Sequence, residues 1–418
     1  MTATPPAPGA LAAASRRHAL GWLVAGNATG LWLAALLLWP ELNDMAAPFT
    51  YGRWVPLHLD WQLYGWCALP FAAVLLQYYL PADARGRATG RLALAVWSAG
   101  LALGGVTWLA GLSSGKLFLE WSGPARVAWP LAMFLVWLLL AVRVWPRRRE
   151  FPWWAHGLLA VLAVVPFIVW WAADPRIYPA VDPDTGGATG SSLLGSTLGL
   201  VGIFGLLPFL LRLPATTAPD RRGRLQLYGV YLVVSLGLNA VIKRGNITHH
   251  DGGHIFGLAS LALWVPLVWR YARAFVWPAA ARPWLAAAFV WWLVLVVTGF
   301  ITFLPEMGDR FKFTNGLVAH AHLAMAGLVT SLHVALLATL GRSWPAGRRW
   351  SFWTWQLACV VHVGALFWLG WREAAEPALL YVRGGVADWC YGLRLAAGGA
   401  MFAAALDWLV AAWRHDQE

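Results

Sequence analysis

The sequence predicts an all-α integral membrane protein, a bundle of twelve transmembrane helices. Three observations predict it. Of the 418 residues, 60% are hydrophobic and only 12% are charged, about half the charge of an ordinary soluble domain. Apolar runs of about 20 residues, the length that spans a bilayer at ~1.5 Å rise, recur from one end to the other. The basic residues gather in alternate linkers between those runs.

Bounded by proline, glycine and charge, the runs fall at 18–40, 54–80, 89–112, 126–145, 152–173, 191–212, 224–248, 254–273, 283–304, 315–341, 350–371 and 388–413. Linkers 81–91, 143–149, 212–224, 270–282 and 342–349 hold 17 of the 31 Lys and Arg residues. The positive-inside rule therefore predicts both termini in the cytoplasm. Loops 41–53, 113–125, 174–190, 249–253, 305–314 and 372–387 would lie outside. Residues 1–17 read as an uncleaved cytoplasmic tail, 18–413 as a single membrane domain and 414–418 as a second tail.

Composition also excludes several classes. The net charge of +12 invites a nucleic-acid partner, but the basic residues occupy short linkers rather than one folded face. Cys67, Cys359 and Cys390 lie in apolar runs without C-x-x-C spacing. That argues against disulfides, thiolate metal sites and covalent haem attachment. No internal repeat is evident, which weighs against a transporter made of two related halves.

An ionisable side chain inside a membrane span is costly and marks function by default. His18 and His415 fall at cytoplasmic helix ends and read as interfacial. His156, His333 and His362 are single residues within spans and read as hydrogen-bonded core. The other six, His58, His249, His250, His254, His320 and His322, all fall in the outer third of the bilayer. Imidazole is the usual protein ligand of haem iron and also suits copper. Residues two apart on a helix point about 200° apart, so His320 and His322 face opposite sides and two haems could flank their helix. His58 is the helix-two candidate for a second axial ligand. Tyr228, Tyr231, Ser235 and Asn239 line one face of the seventh span and are candidates for a proton path. Arg53, Lys243, Arg244, Lys312, Arg372 and Arg383 could pair with haem propionates. The 31 tryptophans would divide between an interfacial belt and the walls of a haem pocket.

These features resemble subunit I of the haem-copper oxidase and nitric oxide reductase superfamily. The H-x-H of NGLVAHAHLAMAG, the histidine of VPLHLDWQLYGW and the pair closing the seventh span carry the resemblance. SSGKLFLEW at 113–121 and YVRGGVADWCYGLRLAAGGAMF at 381–402 are similar to segments of the cbb-type cytochrome oxidases. The resemblance implies the twelve-helix bundle of the cytochrome oxidase subunit I type. It makes His58 and His322 the axial pair of a low-spin haem and His320 the proximal ligand of a high-spin haem. It makes His249 and His250 ligands of a second metal, copper or non-haem iron. Where the family places a third metal histidine, this chain has Ser196 and Thr197, leaving Asp251 and His254 to complete the site. A carboxylate ligand would favour iron over copper.

The implied activity is reduction of O2 or NO in a respiratory chain, with electrons from a cytochrome c-type donor. Accompanying membrane subunits, a bacterial-type inner membrane and no nucleic acid follow from the same resemblance. Two rival readings are a bis-histidine electron carrier without the second metal and a haem-free transporter.

Overall fold

Helix α1 (Ala10–Leu38) begins on the alanine-rich run ahead of the expected 18. Alanine is the strongest helix former, so 10–15 join the span. Arg16 and Arg17 therefore stand on this helix, which starts eight residues ahead of the expected 18. The structure is a computed structural model that describes residues 9–181, 193–242, 252–302, 304, 306–311, 313–340, 349–381 and 384–415.

After α1 come α2 (Tyr51–Tyr79), α3 (Ala84–Leu109), α4 (Ala125–Glu150) and α5 (Trp153–Ala172). Then follow α6 (Leu193–Leu210), α7 (Arg221–Ile242), α8 (Ile255–Ala272) and α9 (Arg282–Thr302). The last three are α10 (Asn315–Leu340), α11 (Arg349–Ala375) and α12 (Val386–His415). Among the described residues eleven of these helices are long and apolar enough to cross a membrane. The exception is α6, whose apolar stretch there is the shorter Thr197–Leu210. Apart from isolated bridge residues, such as the pair Ala215 and Phe275, the described residues contain no strand.

Two spans contain a π-helical stretch. Trp61–Cys67 of α2 and Leu323–Val329 of α10 are π-helical. A π turn shifts the main-chain register by one residue and exposes carbonyls to side-chain donors. In each stretch an indole takes one: Trp97 Nε1 donates to Tyr64 O at 2.8 Å and Trp355 Nε1 to Ala326 O at 2.9 Å.

The chain divides into two compact units. The first comprises Met1–Thr189, Leu340–Ser351 and Gly398–Glu418, and the second Gly190–Thr339 and Phe352–Ala397. The first unit is centred on Leu57, Trp108, Trp121 and Trp129, and Trp121 and Trp129 are stacked at 4.6 Å. In the second unit, Phe204 stacks on Trp292 at 5.5 Å and Trp291 Nε1 donates to Gln356 Oε1 at 2.6 Å. Valines and phenylalanines such as Val106, Phe167 and Val233 face outward, as a lipid solvent allows. Cys67, Cys359 and Cys390 are buried and unbridged.

Candidate functional site

In the first unit His58 lies one turn before the π stretch of α2 and packs on a glycine face of α1. A Cβ at Gly30 would lie 2.6 Å from the imidazole Cε1, and one at Gly26 2.8 Å from Gln62 Nε2. The G-x-x-x-G spacing of Gly26 and Gly30 thus meets His58 and Gln62, also four apart, so the two helices approach closely. His58 Nδ1 is 2.9 Å from Gly26 O. A carbonyl only accepts, so Nδ1 carries the proton and Nε2 holds the ring's lone pair.

In the second unit His320 and His322 end the α-helical part of α10, directly before its π stretch. His322 Nδ1 lies 2.8 Å from Val318 O, again an acceptor. His320 Nδ1 lies 3.2 Å from Thr298 Oγ1 on α9. That hydroxyl also lies 2.9 and 3.2 Å from Val294 O and Leu295 O, acceptors on its own helix. Nδ1 of each of the three histidines thus lies within hydrogen-bond distance of an oxygen, and in His58 and His322 that oxygen is a carbonyl, which makes Nε2 the basic nitrogen. This is the state of an imidazole whose other ring nitrogen is anchored for metal binding. His320 turns toward α9, whereas His322 lies against His362 of α11 with ring centroids 4.6 Å apart.

The start of α10 is tied to α11. Thr314 caps the helix through Gly316 N at 3.1 Å. Glu373, 2% exposed, takes Asn315 N on Oε2 and Asn315 Nδ2 on Oε1, both at 2.7 Å. A Cβ at Gly370 would sit 2.1 Å from Gly316 N, so glycine is required for this backbone contact.

The remaining expected residues have different fates. Tyr228 and Ser235 are buried on the inner face of α7. Tyr228 Oη donates to Val201 O and Tyr231 Oη to Ser260 O, the latter at 2.8 Å, tying α7 to α6 and α8. Arg372 pairs with Glu376 one turn on at 3.6 Å, and Arg53 Nη1 donates to Leu109 O at 2.8 Å. Thr197 is buried on α6. His249, His250, Asp251, Lys243, Arg244, Lys312 and Arg383 lie outside the described residues, as do the side chains of Ser196 and His254. Among the described residues no group of three or more His, Cys, Asp or Glu side chains could hold a metal ion.

Sequence reasoning passed over a buried acid pair in the first unit. Asp60 of α2 is fully buried, two residues beyond His58, and its Oδ2 accepts from Glu120 N at 3.1 Å. Glu120, in the loop after α3, accepts from Gly115 N at 2.8 Å and from Ser113 Oγ. Burial raises the Glu120 carboxyl above its ordinary range, against those hydrogen bonds. Lys116 of the same loop lies 4.0 Å over the Tyr178 ring, and burial lowers its ammonium. A carboxylate inside an apolar run was signal enough to flag Asp60. Glu120 and Glu373 gave no such signal, because both stand near span ends where charge is ordinary.

No family model and no curated protein matches this chain. Its fold is similar to that in a cryo-EM structure of a heme-copper terminal oxidase dimer, at a TM-score of 0.53 and 13% identity. The match covers 96% of this chain and 83% of that one.

Proposed function

We propose that this chain is the subunit I-like haem protein of a respiratory terminal reductase, with twelve membrane spans and both termini cytoplasmic. The observation that carries the reading is that Nδ1 of each of His58, His320 and His322 lies within hydrogen-bond distance of an oxygen. Anchoring of Nδ1 in this way leaves Nε2 as the nitrogen that would bind a metal. The similarity in fold to a heme-copper terminal oxidase points the same way.

His58, His320 and His322 would hold haem iron through Nε2, His58 and His322 as low-spin axial ligands and His320 as the ligand of a high-spin haem. Bound haem supplies electron relay and an open iron position for a diatomic oxidant, O2 or NO. The chain's part is to fix imidazole orientation and exclude water: the Gly26 and Val318 carbonyls and the Thr298 hydroxyl set the ring planes. His249 and His250, with Asp251 or His254, would bind copper or non-haem iron. Arg372 and Arg383 would offset propionate charge. Tyr231 Oη, with Ser235 and Asn239, offers polar positions along α7 for proton transfer. A cytochrome c-type donor and further oxidase subunits in a bacterial-type inner membrane complete the proposal.

The test is the optical spectrum of the dithionite-reduced protein with and without carbon monoxide. A CO-sensitive component beside an insensitive one is expected. A spectrum without a Soret band overturns the haem assignment. Haem without CO sensitivity supports the second reading, a bis-histidine electron carrier, which Thr197 favours by occupying the position expected of a metal histidine.

A further inference from the structure

In the first unit, the ends of α1, α3 and α12 that carry the basic residues enclose a cavity of about 560 Å³. Arg17, His18 and Arg91 line it together with Trp22 and Trp413, and no carboxylate is among its lining residues. Its walls are built to hold position. Trp22 Nε1 donates to Ser98 Oγ at 3.0 Å, and His18 Nδ1 meets the same oxygen at 2.8 Å. The Arg17 guanidinium lies 4.7 Å over the Trp413 ring.

Depth matters as much as charge. Arg17 and Arg91 each stand seven residues into their helices, from Ala10 and Ala84, about 10 Å along the axis. The apolar runs of these helices begin at 18 and 89, so both arginines stand at the edge of a span, near where headgroups would meet acyl chains. Beyond Arg17 and His18, α1 contributes Gly21, Trp22 and Ala25 to the same cavity. One cleft therefore joins a cationic end to an apolar floor running toward the bilayer centre, which suits an amphiphile better than a free anion.

We propose that this cleft is a binding site for an anionic phospholipid of the leaflet facing the basic loops. The lipid phosphate lies between the Arg17 and Arg91 guanidiniums, whose forked donors match phosphate oxygens. Its acyl chain lies along Gly21, Trp22 and Ala25. The two small residues leave the groove that the chain fills, and the indole of Trp22 forms its wall.

Native mass spectrometry of the purified full chain, titrated with phosphatidylglycerol or phosphatidylcholine, tests the proposal. The wild type should retain phosphatidylglycerol preferentially, and R17Q/R91Q should weaken that retention roughly thirtyfold. R17K/R91K, which keeps both charges, should restore most of it, while R148Q, a surface arginine outside the cleft, should bind as the wild type does. If R17Q/R91Q fails to fold, wild-type retention read at 0.05 and 0.5 M salt should fall with salt. Equal retention of the two lipids overturns the proposal, as does unchanged binding in a folded R17Q/R91Q. Displacement of the lipid by an equal concentration of glycerol phosphate also overturns it, by making the site one for a soluble anion.

Discussion

Glu373 receives two hydrogen bonds from Asn315 at the start of α10, one from the backbone N–H and one from the side-chain amide, each at 2.7 Å. The helix so anchored carries His320 and His322 within its first two turns. A carboxylate at a helix N-terminus also favours the helix dipole. Glu373→Ala should therefore destabilise the protein by about 2 kcal/mol, because it orphans buried donors. Glu373→Gln, which keeps one acceptor oxygen, should cost less. Thermal melting followed by circular dichroism checks both, and equal melting of the alanine variant and wild type would remove Glu373 from this role.

Close helix approaches at Gly30 and Gly370 make a contrasting pair. At Gly370 the obstructing atoms are Gly316 backbone, whereas at Gly30 they belong to the His58 ring. Gly370→Ala should thus lose about 1–3 kcal/mol of stability through overpacking. Gly30→Ala should push the imidazole aside, lower stability less and, on the proposed haem site, alter the optical spectrum of the purified protein.

The indoles of Trp97 and Trp355 hold carbonyls in the two π stretches beside the histidines. Trp355→Phe should remove one hydrogen bond, about 1 kcal/mol, with little change in packing. Hydrogen exchange should then rise in 323–329, and the parallel change in Trp97→Phe should appear in 61–67. Exchange unchanged in both would mean the π register needs no indole.

Two loop carboxyls of the first unit, Asp174 and Glu120, should give opposite pH signatures. Hydrogen bonds from Arg176, then Arg126, hold the Asp174 carboxyl well below its ordinary value. A depressed carboxyl stabilises above its unfolded pKa of about 3.9 and loses that contribution only as pH falls through the folded value. Asp174→Asn should therefore lower the melting temperature by a similar amount at pH 5.5 and pH 8. Glu120 is raised by burial, so the folded state binds its proton more tightly and stability falls as pH rises above about 4.3 toward the folded value. Glu120→Gln should flatten that decline, read as melting temperature across pH 5–8.

Tyr231→Phe separates packing from proton transfer. Losing the bond to Ser260 O should cost about 1 kcal/mol. Turnover with O2 should fall severalfold on the proposed path, and a wild-type rate in the variant would reduce Tyr231 to a helix tie.

The sequence by itself determined the membrane class and most span positions, because apolar run length is a property of contiguous chain. It also carried the H-x-H geometry: His320 and His322 reach different neighbouring helices, as a helix of 3.6 residues per turn requires. Its boundaries slipped where local propensity extended a helix, as at Ala10. Only the tertiary structure decided which carbonyls anchor those imidazoles, that Gly30 makes room for His58, and that Glu373 seats α10. It also decided that Asp60 meets Glu120, and that α2 and α10 turn π-helical beside their histidines. Each of these depends on segments far apart in sequence coming within a few ångströms, and no periodicity along one segment encodes which distant carbonyl or glycine it will meet.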